Sequence, residues 1–476
     1  MEKVFISQSH QARLIIVFLG WGADARPFAG LRKNGFDVLV VYDYTGFENT
    51  AVRDNEFSRL VHEAEQYEEV VVVAWSFGVR IAADFLAGFR MHLPVTRAIA
   101  INGTTSHIHD TKGIPQAIFN GTLEHLSEAS VRKFNRRMFA SADAFAGYML
   151  HAPARSFDSL KSELATFARI SAADDCSMFS LAIAGEADAI FPVRNQLAAW
   201  AGVETETMPG APHFIDLQSI LDNFIVDKHL VAERFQRAAD TYSAHAGPQH
   251  EVARRLWELA APHVNHALVQ SERNSPARLL EIGSGCGFLT RLYLPSLPSG
   301  TQVELWDLAT PPSWLPEEDA TFRQCDAETE ICATAPGSYN CVVSASTIQW
   351  FNSPADFLPR MARAMAPGAI AAIAVYGPAT YREISALTGR GLRYLSMEQL
   401  CDAAGKSGLE IIAANSETTV QTFTDAAAML RHMKLTGVNG NSSSTALAMK
   451  IMRAFPAGQP VELTYNPIYL ILKKHD

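Results

Sequence analysis

The stretch Val70-Val71-Val72-Val73-Ala74-Trp75-Ser76-Phe77-Gly78 decides the reading of the first half of the chain. Four consecutive valines bounded by turn signals read as a strand buried on both faces. Val79 to Leu86 then carries a helical pattern, so Ser76 falls on a sharp strand-to-helix turn. Such a turn presses the positions two before and two after the serine against neighbouring backbone. Ala74 and Gly78 are both small enough for it. The turn also sets Ser76 at the start of a helix, where the dipole favours a developing negative charge. Working outward, apolar runs stand at Leu14 to Leu19, Val38 to Val41, Ala98 to Ile101 and Leu181 to Ala184. Strands alternating with helical patterns predict βαβ units and a parallel sheet. Between 114 and 173 the pattern turns helical and more polar, which predicts a helical lid inserted over the sheet.

A serine hydroxyl is a useful nucleophile only beside a base that is itself oriented. Gly185 to Pro192 follows the Leu181 strand and places Asp188 in a strand-end turn, with Glu186 as the other possible acid. Pro209 to Phe214 then supplies His213 in a Gly/Pro loop. The order Ser76, Asp188, His213 is that of the α/β-hydrolases. In that chemistry Ser76 attacks a carbonyl, His213 takes its proton and Asp188 fixes the imidazole tautomer. Two backbone N–H groups must meet the oxyanion. Phe77, next after the serine, gives one, and Trp21 in the Gly20-Trp21-Gly22 turn gives the other.

After residue 226 the alternation restarts. Asp227 to Ala260 is charged and amphipathic without strand signal, and Arg278 to Ile282 then enters Gly283-Ser284-Gly285-Cys286-Gly287-Phe288. The glycines read G-x-G-x-G, and Phe288 stands where a dinucleotide fingerprint puts its third glycine. With acidic Glu281 ahead of it, this closer spacing is the methyltransferase version. Its glycines let backbone approach the adenosine and methionine parts of S-adenosylmethionine. Asp307 ends the next strand and can accept both ribose hydroxyls. Asp326 follows the third strand, where it would contact the adenine amine. Cys341 to Ser344 leads into a loop that presents Gln349 and Trp350 to a substrate. The sequence thus predicts two tandem α/β domains, 1–225 and 227–476: a hydrolase with a lid, then a Rossmann-like class I methyltransferase.

The 476 residues are 48% hydrophobic and 19% charged, ample for packed cores and too lightly charged for a disordered chain. The net charge of −10 counts against a nucleic-acid partner. No apolar run reaches the roughly 18 residues of a membrane span, and Glu2-Lys3 after Met1 is not a signal-peptide start. Six cysteines include no C-x-x-C pair, so neither a metal site nor a disulfide framework is expected, and a cytoplasmic setting fits. The polar stretch Asn439 to Thr445 reads as a loop.

Leu19 to Gly22, Ala74 to Gly78, Gly185 to Pro192 and Pro209 to Phe214 resemble the BioG-type pimeloyl-[acyl-carrier protein] methyl ester esterases of biotin synthesis. Leu19, where larger hydrolases carry a histidine, fits that family. The second half resembles the BioC-type malonyl-[acyl-carrier protein] O-methyltransferases, through the leading helix with Phe235 to Ala246 and the segment Arg390-Gly391-Leu392-Arg393. By that resemblance Tyr242 lies near the methyl donor and Arg393 meets the substrate carboxylate; a packed aromatic and a surface residue are the alternatives. The esterase resemblance implies an acidic carrier protein docking over the lid, where Arg132, Lys133, Arg136 and Arg137 share a helix face. An ordinary solvated face is the other reading. Together the halves imply methylation of malonyl-carrier protein and hydrolysis of pimeloyl-carrier methyl ester. The competing expectation is a broad carboxylesterase fused to a small-molecule carboxyl methyltransferase.

Overall fold

In the first strands of the sheet the apolar runs are buried without remainder: every side chain of Leu14 to Phe18 and Val70 to Ala74 has no exposed surface. This is what a parallel sheet covered on both faces demands of its central strands. The structure, a computed structural model, describes all residues except 174, 272–275, 311–319, 389–390, 439–444, 456–457 and 476. Arg390 and residues 439–444 of the loop expected over 439–445 therefore lie outside the described residues, while Thr445 opens the helix Thr445–Ala454 instead of ending a loop. The chain divides into two compact units, Met1–Leu221 and Asp222–Asp476.

The first unit holds β1 (Glu2–Ser7), β2 (Arg13–Phe18), β3 (Asp37–Tyr42), β4 (Glu69–Trp75), β5 (Val95–Ile101), β6 (Leu181–Gly185) and β7 (Thr205–Met208). They form one sheet in the order β1-β3-β2-β4-β5-β6-β7. Only β1 is antiparallel to its neighbour. Between β5 and β6 run the helices Gln116–Glu124, Glu128–Arg137, Ala142–Met149 and Phe157–Phe167. Ser76 has φ of 59°, the left-handed turn between β4 and the helix Gly78–Phe89. A Cβ on Gly78 would lie 2.3 Å from Phe18 O, so the end of β2 enforces that glycine.

The second unit is a Rossmann-like mixed sheet. Its strands are β8 (Arg278–Ile282), β9 (Gln302–Asp307), β10 (Thr321–Gln324), β11 (Tyr339–Ala345), β12 (Met365–Tyr376), β13 (Leu409–Ser416) and β16 (Pro467–Lys474), and β14 (Thr419–Phe423) pairs antiparallel with β15 (Val461–Tyr465) in a separate two-stranded sheet. The main order is β10-β9-β8-β11-β12-β16-β13, with β16 antiparallel to both neighbours. Strand order reverses between β8 and β11, which opens a crevice at their carboxyl ends. The helices Lys228–His245 and Gly247–Ser271 precede the sheet. No helix among the described residues is long and apolar enough to cross a membrane.

Candidate active sites

At the end of β4, His213 Nε2 lies 3.0 Å from Ser76 Oγ, and His213 Nδ1 lies 2.9 Å from Asp188 Oδ2. Asp188 Oδ1 also accepts from the N–H groups of Ile190 and Phe191, and Oδ2 from Gln196 Nε2. Glu186, the other candidate acid, is exposed. Ser76 is 3% exposed and His213 1%, so both the nucleophile and the base are buried. A Cβ on Gly20 would fall 2.7 Å from Ser76 Cβ, which puts the Gly20-Trp21-Gly22 turn directly against the nucleophile. Among the described residues neither the Trp21 nor the Phe77 N–H donates to a backbone acceptor.

Three residues that the sequence left unmarked hold this arrangement. Asn102 directly follows β5 and is fully buried; its Nδ2 donates to the carbonyls of Pro212 and His213, and its Oδ1 accepts from Gly185 N–H. One amide therefore ties the histidine loop to the strand that carries the acid. Glu163, in the inserted helix Phe157–Phe167, accepts from Gly22 N–H at 3.0 Å and Tyr44 N–H at 3.1 Å. Arg155 pairs with it at 2.6 Å and with Asp43 at 2.9 Å. Burial raises the Glu163 carboxyl against the pull of Arg155 and the two amides. Trp21 Nε1 donates to Leu160 O in the same helix, so the helix grips the Trp21 turn at two points.

Arg132, Lys133, Arg136 and Arg137 are all exposed on the helix Glu128–Arg137. Arg136 and Arg137 also donate to backbone, at Phe139 O and Ala189 O. The neighbouring inserted helix and the histidine loop flank an open, largely apolar depression of about 480 Å³ that Phe139, Tyr148, Pro212 and Phe214 line.

In the second unit, Gly283, Gly285 and Gly287 all have positive φ. A Cβ on Gly283 would sit 1.9 Å from Thr347 Oγ1, so the loop after β11 closes on the glycine turn and no other residue fits. A cavity of about 540 Å³ opens there, lined by Glu281, Gly283, Gly285, Asp307, Asp326, Tyr242 and Trp350 among others. Asp307 Oδ2 accepts from Gly285 N–H and Oδ1 from Ala309 N–H. Burial raises the Asp307 carboxyl, and these amides partly offset it. Glu281 is 1% exposed and accepts from Thr290 Oγ1 and Tyr293 OH. Burial pushes it up to about 7 in spite of those two donors. Asp326 faces the cavity but already accepts from Lys228 Nζ and Glu328 N–H.

Tyr242 stands between Phe235 and Phe288 and lines both this cavity and a larger one of about 880 Å³. Trp350 lines both cavities as well, while Gln349 lines the larger. Gln349 Nε2 donates to Ser346 O, and its Oε1 is buried without a partner. Arg393 is half-buried, and although Leu392 and Tyr394 line the larger cavity, Arg393 does not. The unpartnered buried Ser284 Oγ and Gln249 amide on the walls suit a polar ligand such as S-adenosylmethionine.

Residues 1–215 match the family of the pimeloyl-ACP methyl esterase BioG, and residues 249–414 match a methyltransferase domain. A malonyl-[acyl-carrier protein] O-methyltransferase of Bacteroides fragilis is 34% identical over 481 residues, 97% of this chain and 92% of that protein. One of the same description from Bacteroides thetaiotaomicron is 31% identical over 272 residues, 52% of this chain and 99% of that protein. The first relative thus spans both units. Among solved structures, BioG from Haemophilus influenzae is 31% identical over 45% of this chain and 94% of its own, with a TM-score of 0.38.

Proposed function

The chain belongs to the malonyl-[acyl-carrier protein] O-methyltransferase family, and from that premise we propose that it masks and later unmasks one carboxylate in biotin synthesis. The second unit methylates the free carboxylate of malonyl-carrier protein. Removing the charge lets chain elongation proceed as on an apolar acyl group. The first unit then hydrolyses the methyl ester of the pimeloyl-carrier protein. That each unit carries a site of its own, the Ser76–His213–Asp188 chain and the glycine-turn cavity, is the observation that carries this reading.

We read the first unit as an α/β-hydrolase whose inserted helices form a lid. Ser76 Oγ adds to the ester carbonyl as His213 Nε2 takes its proton. Asp188 holds the imidazole with its Nδ1–H toward the carboxylate and stabilises the imidazolium that forms. The N–H groups of Trp21 and Phe77 receive the oxyanion. His213 returns the proton to the departing methanol, and water then repeats the cycle to free the acid. The exposed basic helix supports docking of an acidic carrier, and the aromatic cavity beside Phe214 supports a longer acyl chain.

In the second unit S-adenosylmethionine, when bound, supplies a methyl on a sulfonium, which a carboxylate oxygen accepts as the carbon–sulfur electron pair stays on sulfur. The chain's part is to orient and to keep water out. The glycine turn would give backbone access, Asp307 would hold the ribose and Asp326 the adenine, and Tyr242, which lines both cavities, would stand between the donor and the acyl group. A carrier-protein substrate and six free cysteines support a cytoplasmic setting. The test is intact-mass analysis of carrier thioesters. Malonyl-carrier should gain a methyl and pimeloyl-carrier methyl ester should lose one; turnover of free short esters with both carrier substrates inert would refute the reading.

A further inference from the structure

The larger cavity of the second unit contains a cation that nothing in the fold accounts for. Arg234, in the helix Lys228–His245, lines it and is 9% exposed. Among the described residues no hydrogen bond or ion pair holds its guanidinium. Burial works against its charge, and the Asp227 carboxylate offsets this only in part. Its helix neighbour Arg237 is different: it is exposed and pairs with Glu233 at 2.7 Å. A guanidinium does not shed its proton near neutral pH, and the Arg234 nitrogens are not among the fully buried unpartnered atoms, so the charge opens onto the cavity where an anion can reach it.

The surroundings say which kind. The cavity wall is largely apolar, with Leu230, Leu392, Leu430 and Ile451, and its other charged lining residues are Asp222, Arg237 and Lys434, of which Arg237 and Lys434 are exposed. Gln249 is buried with neither end of its amide partnered, and Gln349 Oε1 is likewise alone. Phe235, next to Arg234 in sequence, lines both this cavity and the glycine-turn cavity. A small acyl group with one anionic end, reaching the wall the two cavities share, matches that lining. Arg393 does not line the cavity and is engaged in an interaction of its own.

We propose that Arg234, in place of Arg393, binds the free carboxylate of the malonyl thioester in the larger cavity and makes the site select the acid over its methyl ester. The inference rests on the malonyl-carrier reading of the second unit and adds the residue that recognises its substrate. A neutral ester cannot pair with Arg234, so methylation would also loosen the product.

The test uses the full chain with Ser76→Ala as background, so that the ester probe is not hydrolysed. Binding of malonyl-carrier and of methyl malonyl-carrier is measured with S-adenosylhomocysteine present. The background protein should prefer the acid, and Arg234→Ala should weaken acid binding by about tenfold or more while leaving ester binding within about twofold. Arg234→Lys should recover part of the preference. Arg234→Gln keeps most of the side-chain volume and serves if Arg234→Ala fails to fold, with S-adenosylhomocysteine affinity as the control for an intact unit. Equal weakening of acid and ester would overturn the proposal, because it would place Arg234 on the shared carrier arm and its phosphate. Unchanged acid binding, or the same selective loss from Arg393→Ala alone, would also overturn it. Failure of the wild-type chain to methylate malonyl-carrier at all would instead remove the reading beneath it.

Discussion

Lys228 opens the helix that carries Arg234 and Tyr242, and its removal should loosen the whole second unit. Its ammonium lies 2.6 Å from Asp326 Oδ2 and 2.5 Å from Glu328 Oε2, with Lys228 5% and Glu328 4% exposed. Glu328 also accepts from the N–H groups of Asn352 and Ser353. Lys228→Met would keep those two amide bonds but strand a buried carboxylate without its cation. Breaking a buried pair from one side costs about 3–5 kcal/mol, and the surviving amides put this case near the lower end, about 3 kcal/mol. For a unit of this size each kcal/mol lowers the transition by about 2–4 °C, so a drop of about 6–12 °C is expected. Calorimetry of the full chain reads it, and S-adenosylhomocysteine identifies the second unit's transition by raising it. Adding Glu328→Gln to Lys228→Met should cost less than the two changes summed, since the stranded charge is gone. The pair also has a pH signature. Burial raises the Glu328 carboxyl, but Lys228 and the hydrogen bonds outweigh it and hold it below the usual glutamate range. A depressed folded pKa gives stability that is present above the unfolded value and lost as pH falls through the folded one. Lys228→Met should therefore lose that acid-side step. A transition unmoved by Lys228→Met would refute the reasoning.

Glu281 should act in the opposite direction: its folded pKa of about 7 lies above the ordinary 4.5, so its contribution to stability declines as pH rises between those values. Urea midpoints of Glu281→Gln across that range should show a flatter pH slope than the wild type. Glu163→Gln should lower kcat for ester hydrolysis by about tenfold with little change in KM, because it loosens the turn that carries the Trp21 N–H, and steady-state kinetics will show whether the loss falls on KM instead. Reversing Arg132, Lys133, Arg136 and Arg137 should raise KM for carrier-bound ester and leave a small free ester unaffected, with an effect that shrinks in salt. The pimeloyl chain has four more methylenes than malonyl. At roughly 0.8 kcal/mol each, about 3 kcal/mol, the cavity lined by Phe139 and Phe214 should favour the pimeloyl ester by about tenfold or more in carrier-bound competition.

What could be read from the sequence was what local sterics write into it. The left-handed serine needed small neighbours at 74 and 78, and the end of β2 enforces the second of these. The glycine turn at 283–287 likewise answers to Thr347 and to positive φ. The groups that could not be read act across long separations. Asn102 reaches the loop at 212–213, Glu163 reaches Gly22, and Lys228 reaches Asp326 and Glu328. In a sequence such residues look like any other polar or charged side chain, because their partners are fixed only when the chain folds. Arg234 hid for the same reason: it stands in a charged amphipathic segment with Glu233 and Arg237, and only burial separates it from them.

The most direct test of two independent sites on one chain is a reciprocal pair of variants assayed on both carrier substrates. Ser76→Ala should lose hydrolysis of pimeloyl-carrier methyl ester and keep methylation of malonyl-carrier at the wild-type rate. Asp307→Ala should weaken S-adenosylmethionine binding by about tenfold or more and keep hydrolysis unchanged. Loss of both activities in either variant, or retention of hydrolysis in Ser76→Ala, would contradict it.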